Sequence, residues 1–361
     1  MTPEQLRQAL DLRDLADESA GEHAVQHVVR NIETALAHAW GVPVRRDPGP
    51  RIVSVADNYD RLRYTAAAVT RDRRYSRYVD DARMLRSHTT ARIPALLDDT
   101  RQREVLLSVP GVCYRRDAID RRHVGEPHQH DLWRIRPEGA PLADADLVDM
   151  VHRVVEAVLP GRAITTPPSP HPYTLNGREI YVDGVEIGEC GLAHPEVLRG
   201  SGLAAAATGL AMGLGLDRIT MLVKGIDDIR LLRSTDPRVA EQMRDLAPYR
   251  PVSAMPPTAR DLSIAVADDL DVELLGDRVR ALLGPDADAV EEVTVRSETA
   301  YADLPDSARR RMGLAPGQKN VLVRVVLRDL TRTLSTAEAN AIRDRIYAGL
   351  HEGSAYEWAA T

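Results

Sequence analysis

Three short stretches of this chain concentrate residue types that could carry chemistry. The first runs Tyr114, Arg115, Arg116, Asp117, Ala118, Ile119, Asp120, Arg121, Arg122, His123, and His128, Gln129, His130 and Asp131 follow it. It reads as an Arg at a strand end, an acid two residues on, a polar loop with His, and a return strand. A guanidinium is a planar, permanently charged fork, suited to paired hydrogen bonds with phosphate or carboxylate. The second stretch, Gly209 to Arg218, holds Gly213 and Gly215, whose missing side chains let backbone approach a ligand. The third, Leu85 to Ala91, offers His88 and Thr90. Each has a plainer reading. An Arg-Arg-Asp triplet by itself is usually a solvated surface cluster. His123, His128 and His130 are an alternative zinc set, without a convincing fourth ligand. The glycines form neither GxGxxG followed by a ribose-binding acid nor a GK[ST] loop, which speaks against a dinucleotide or P-loop reading.

These residues need elements to position them. Residues 1 to 40 read as helical, with Val25, Val28, Val29, Ile32 and Leu36 at helical spacing and a break at Gly41. Arg103 to Tyr114 is rich in strand formers, and its Pro110-Gly111 pair predicts a hairpin or strand pair. Asp144 to Val158 predicts an amphipathic helix, and the proline-rich run Thr165 to Pro172 an extended or turning segment. Glu179 to Val182 and Val185 to Ile187 flank Asp183-Gly184, a strong hairpin signal. Residues 209 to 215 then lead into a helix with Asp217 and Arg218. Pro251, Pro256 and Pro257 mark a linker, which predicts two domains, 1–248 and 249–361. The second reads strand (261–266), helix (272–283), strand (289–296), turn, strand (320–327), helix (336–351), closed by a short strand near 354–358. That order suits a ferredoxin-like α/β sandwich.

The chain has 361 residues, 43% hydrophobic and 28% charged, which excludes disordered and collagen-like classes. No apolar stretch reaches a membrane span and no basic, apolar leader opens the chain, so the expectation is a cytoplasmic protein. Cys113 and Cys190 are too few for a disulfide framework and are read as reduced, partly buried thiols. A net charge of -7 disfavours nucleic-acid binding by bulk electrostatics. The absence of Phe has no physical account.

The ordered stretches resemble the phenylalanyl-tRNA synthetase family of class II aminoacyl-tRNA synthetases. Arg115 to Asp131 resembles motif 2, and Leu85 to Ala91 the family's His-Thr-Ser substrate motif. Glu186 to Leu198, with Cys190-Gly191-Leu192-Ala193-His194-Pro195, resembles its Gly-Cys-Gly-Met-Val-His-Pro segment, and Gly209 to Arg218 resembles motif 3. Arg260 to Ser263, Leu304-Pro305, Gly317 to Asn320 and Arg332 to Ser335 resemble its ferredoxin-like anticodon-binding domain. The layout is that of the single-chain organellar enzyme, without the bacterial α-subunit's N-terminal coiled coil. The resemblance implies an α+β fold, an antiparallel sheet with flanking helices, and ATP with Mg²⁺ as cofactors. It places Arg115 on the α-phosphate, Arg218 on the terminal phosphate, His123 on β or γ oxygens, Asp117 on the nucleotide and Glu186 on the metal, beside Gly213 and Gly215. It implies an amino-acid pocket of His88, Thr90, Gln129, Asp131, His171, Tyr173 and Ala211.

The chain also departs from the family. Pro127 stands where an aromatic stacks on adenine, and Asp131 is one methylene shorter than the family's Glu. His171 and Tyr173 replace two Phe at the substrate ring. A buried polar atom without a partner costs roughly 1 to 3 kcal/mol, so these two side chains predict a hydroxylated or heteroaromatic substrate. The alternative is that they bond each other, Asp131 or water and accept phenylalanine. Residues 251–361 hold 13 Lys and Arg against 18 Asp and Glu, a poor platform for an anticodon stem. Three functions remain open: charging of tRNA, transfer of the activated acyl group to a carrier protein, protein lysine or small amine, and a non-catalytic ligand-binding regulator.

Overall fold

A computed structural model describes residues 1–98, 100, 103–116, 118–252 and 255–356. The strands are β1 (Val44–Arg46), β2 (Ile52–Ser54), β3 (Arg83–Leu85), β4 (Val105–Val112), β5 (His128–Arg136), β6 (Ile164–Thr165), β7 (Thr174–Val182), β8 (Val185–Ala193), β9 (Thr208–Gly215), β10 (Thr258–Ala267), β11 (Val290–Ala300) and β12 (Gln318–Leu327). Two compact units form. One comprises Met1–Arg115, Glu126–Leu232 and Pro237–Arg250. The other comprises Arg116–Gly125, Arg233–Asp236 and the chain from Pro251 onward. Among the described residues no helix is long and apolar enough to cross a membrane.

The first unit is built on a seven-stranded sheet in the order β1-β4-β5-β9-β8-β7-β6, antiparallel except for the β1–β4 pair. The helix Ala24–Trp40 buries Val25, Val28, Val29, Ile32 and Leu36, the positions its periodicity marks, and ends on Gly41 in the left-handed region (φ 64°). The expected continuous helix over 1–40 is instead two helices. Pro3–Asp11 stops short because Asp14 and Leu15 turn inward: Asp14 accepts the Val112 N–H at 3.0 Å, and the Leu15 N–H donates to His128 Nε2 at 2.9 Å. These buried bonds outweigh one more helical turn.

The expected turn at Pro110-Gly111 is also corrected, since β4 runs straight through both residues and pairs with β5 along its length. β1 covers only Leu106 to Ser108, so Pro110 needs no donor on that side. Gly111 is required because a Cβ there would lie 2.2 Å from Arg86 Nη2. The hairpin at Asp183-Gly184 is present, with φ of 50° and 76°, the double positive φ of a type I′ turn.

The second unit is a three-stranded antiparallel sheet, β10-β12-β11. Its core joins Leu262, Ile264, Val321, Val323 and Val325 to Leu275 and Val279 of the helix Leu275–Leu283 and to Ala339 and Ile346 of Thr336–Leu350. The capping box of Ser335 and Glu338 starts the latter helix. Where a simple turn is expected between β11 and β12, the helix Asp306–Met312 intervenes. The expected closing strand is absent over Ser354 to Tyr356, because the Ser354 N–H and hydroxyl bond the Gly313 carbonyl at 3.0 and 3.2 Å instead of a sheet edge. Residues 357 and 358 lie outside the described residues.

Candidate active site

Neighbouring strands carry the polar residues in rows. β5, β9 and β8 lie side by side, and register sets Asp131 opposite Gly213 and Gly213 opposite Glu189. The next row on the same face is Trp133, Ala211, Gly191, and on the other side Gln129 pairs with Gly215. Successive strand residues alternate between faces, so odd positions of β5 and β9 share one face. With Ala211, Gly213 and Gly215 down its middle strand, that face forms a trough. A Cβ on Gly213 would sit 3.8 Å from both Asp131 Oδ2 and Glu189 Oε1.

Asp131 is buried, and its Oδ2 accepts the Thr89 hydroxyl at 2.8 Å while Trp133 Nε1 approaches Oδ1 at 3.4 Å. Burial pushes its carboxyl up to about 7, against the hydrogen bonds of Thr89 and Thr90; the Glu189 charge adds to the rise. Gln129 Oε1 takes the Thr89 N–H at 3.3 Å. The half-buried His88 ring packs on Tyr64, ring centroids 5.8 Å apart and near parallel, and desolvation followed by the Arg115 charge lowers it to about 4. It is therefore neutral at physiological pH. Thr90 is buried beside Thr89, which the sequence reading passed over although the adjacent hydroxyl was visible.

His171 and Tyr173 occupy the neighbouring wall, and both bond one residue the sequence reading missed. His171 Nε2 lies 2.7 Å from Glu189 Oε2, and the Tyr173 hydroxyl donates to Glu189 Oε1. The expectation that the two groups pair with each other is thus corrected, since a carboxylate on the adjacent strand takes the Tyr173 hydroxyl and His171 Nε2, while His171 Nδ1 is buried without a partner among the described residues. Burial disfavours charge on His171, but the Glu189 hydrogen bond and charge raise it above its ordinary value. Burial likewise works to raise Glu189, and His171 holds it below the usual carboxylate range. Trp133 stacks on Tyr173 at 6.1 Å, and Tyr64 lies 6.3 Å from it. The sequence did carry a signal for Glu189, which stands where the family segment quoted above begins with Gly.

Arg115 follows the end of β4, and its Nε donates to the Ser87 carbonyl at 2.8 Å. Its charge acts on His88, Tyr64 and Glu189, which sets it beside the trough. Arg218, on the helix Leu216–Lys224, has Nη1 3.0 Å from Glu186 Oε2 and 3.2 Å from the Glu186 carbonyl. His123 falls in the second unit, where its Nδ1 lies 2.7 Å from Asp120 Oδ2. In that unit Ile119 enters the core and Arg121 pairs with Glu291 at 2.7 Å. Asp117 lies outside the described residues.

Strand alternation separates the remaining groups. His128 and His130 are buried on the face of β5 opposite Gln129 and Asp131. His128 Nδ1 lies 2.9 Å from Asp217, and His130 Nε2 2.8 Å from the Ser108 hydroxyl, with burial lowering His130 to about 4. Their separate partners do not converge on a metal. Burial pushes the Cys113 and Cys190 thiols up to about 12, so neither is a ready nucleophile.

The chain matches the family described as tRNA synthetases class II core domain (F) over residues 10–243. It is 26% identical over 356 residues to a Drosophila melanogaster protein named "Probable phenylalanine-tRNA ligase, mitochondrial", with 82% of this chain and 74% of that one covered. It is 27% identical to the chloroplastic/mitochondrial phenylalanine-tRNA ligase of Arabidopsis thaliana, covering 82% and 68%. With the phenylalanine-tRNA ligase alpha subunit of Neisseria meningitidis serogroup A it shares 31% identity, covering 63% and 70%. The chain belongs to the class II tRNA synthetase core family (F).

Proposed function

We propose that this class II synthetase-family chain activates an aromatic or related amino acid with ATP as the aminoacyl-adenylate and transfers it to tRNA. One observation carries the reading. Arg115, the Gln129-Asp131 pair, and the Gly213-Gly215-Arg218 series stem from β4, β5 and β9, three consecutive neighbours in one sheet.

Activation joins two anions, so the site must hold an ammonium at one end and neutralise phosphates at the other. Asp131, supported by Thr89, Thr90 and Gln129, is the proposed ammonium acceptor. Ala211, Trp133, Tyr173 and His171 would line the side-chain pocket. Arg115 would hold the α-phosphate and Arg218 the terminal one, with Gly213 and Gly215 admitting the ligand. His123 and Asp117 enter through sequence order alone. The Glu186 side chain is 45% exposed and paired with Arg218. An exposed carboxylate beside a phosphate-binding arginine fits Mg²⁺, which uses one or two carboxylates and shares the rest of its shell with phosphates and water. Mg²⁺ would supply charge neutralisation on the leaving pyrophosphate.

The test is exchange of labelled pyrophosphate into ATP, dependent on an amino acid and abolished by Arg115→Ala. Failure across a broad amino-acid panel, with no ATP binding by calorimetry, overturns the reading. A second acceptor is favoured by the charge of residues 251–361. Of the basic residues there, Arg309 pairs with Asp306, Lys319 with Glu298 and Arg324 with Asp261. Acids thus already neutralise them, and a carrier protein, protein lysine or small amine is the alternative recipient.

A further inference from the structure

Glu189 is the residue around which the pocket wall is organised. It bonds both polar rings of that wall, His171 at 2.7 Å and Tyr173 through its hydroxyl. Its Oε1 borders the trough floor, 3.8 Å from where a Gly213 Cβ would be. Its charge is felt by Tyr64, His88 and Asp131. Around it the wall is aromatic and small: Trp133 on Tyr173, Tyr64 beyond, and Ala211 and Gly191 in the next row.

A carboxylate has about four acceptor positions, and the two wall bonds use two of them. A bare phenyl ring laid against Glu189 would strip its water and return no hydrogen bond. A ring bearing O–H or N–H would replace that water with a charge-assisted bond. Geometry therefore makes Glu189 a discriminator and not only a brace for His171 and Tyr173. We propose, resting on the adenylating reading above, that Glu189 accepts a hydrogen bond from the substrate side chain and so selects an amino acid carrying an O–H or N–H donor over phenylalanine.

The rival role is capture of the α-ammonium together with Asp131, which would affect every amino acid alike. Pyrophosphate exchange should be measured for wild type, Glu189→Gln and Glu189→Gly with phenylalanine, tyrosine, meta-tyrosine and histidine. The expected result is a wild-type kcat/KM at least about tenfold higher for one donor-bearing amino acid than for phenylalanine. Glu189→Gly should shift that ratio toward phenylalanine by about tenfold or more. Glu189→Gln, which keeps the side-chain shape, should narrow the ratio in the same direction, with a melting curve confirming that it is folded. Wild-type preference for phenylalanine overturns the proposal. So does an equal loss for all four amino acids, which assigns Glu189 to the shared ammonium. If no amino acid supports exchange, the adenylation reading falls by itself, and calorimetric binding of the same four compounds to the same three proteins decides the specificity proposal.

Discussion

Arg218 Nη1 lies 3.0 Å from Glu186 Oε2, so the residue proposed for the terminal phosphate and the one proposed for the metal are paired with each other. The pair is partly exposed, with side chains 24% and 45% accessible, so keeping it contributes little to stability. It instead sets a fixed cation and a fixed anion at the end of β9, where a metal-bound triphosphate would exchange one partner for another. Arg218→Ala should lower the pyrophosphate-exchange rate by about a hundredfold or more while shifting the melting midpoint little. Glu186→Gln should raise the Mg²⁺ concentration needed for half-maximal rate. An unchanged Mg²⁺ dependence would remove Glu186 from the metal.

Asp131 gives a pH dependence. Its carboxyl titrates at about 7, so protons occupy it increasingly below that value and weaken its attraction for an ammonium. Amino-acid affinity should fall as pH is lowered through about 7 and level off above it. Asp131→Asn should bind about tenfold or more weakly and without this pH dependence. Stability moves the other way. Because the folded-state pKa is raised, the ligand-free protein binds an extra proton relative to the unfolded chain, and stability present below the ordinary aspartate range is lost as pH rises through about 7. Denaturant unfolding on both sides of that pH, with and without amino acid, checks both signs.

Two glycines of the same sheet should separate function from folding. A Cβ on Gly213 meets nothing closer than 3.7 Å, so Gly213→Ala should fold with a stability change within about 1 kcal/mol. It should nevertheless fill the trough between Asp131 and Glu189 and raise KM for the amino acid. A Cβ on Gly188 would sit 2.2 Å from the Gly213 carbonyl oxygen, backbone that cannot move without parting β8 from β9. Gly188→Ala should therefore cost about 1 to 3 kcal/mol or more in unfolding experiments. Equal stability of the two variants would contradict the strand geometry.

Acceptor choice should show in salt dependence. With a net of -5 over residues 251–361 and three basic residues already paired, tRNA binding should be weak and fall steeply with ionic strength. Filter binding and aminoacylation with total tRNA measure this. Robust charging at physiological salt would exclude the other acceptors.

Much of the architecture was legible from local pattern. The helix at 144–158 was visible in its apolar spacing, the 183–184 turn in its Asp-Gly pair, and the strand-to-helix passage at 209–218 in its glycines. Where local pattern misled, a distant partner had taken over. Asp14 breaks a helix to reach the Val112 N–H, and pairing with His130 and Gln129 of β5 makes Pro110 and Gly111 part of a strand and not of a turn. Such bonds join residues far apart in the chain, which no window of neighbouring residues contains.

The same division runs through the site. Sequence alone determined which residue types were present in which order: arginines after a strand, glycines before a helix, an acid two residues past Gln129. It also fixed that His128 and His130 would face away from Gln129 and Asp131, since alternation is a property of the strand itself. Only tertiary structure decided that Asp131, Gly213 and Glu189 form one row, because register between strands is set by packing and hydrogen bonding across the whole sheet. That register turned Glu189 from an unremarked residue beside Cys190 into the partner of His171 and Tyr173.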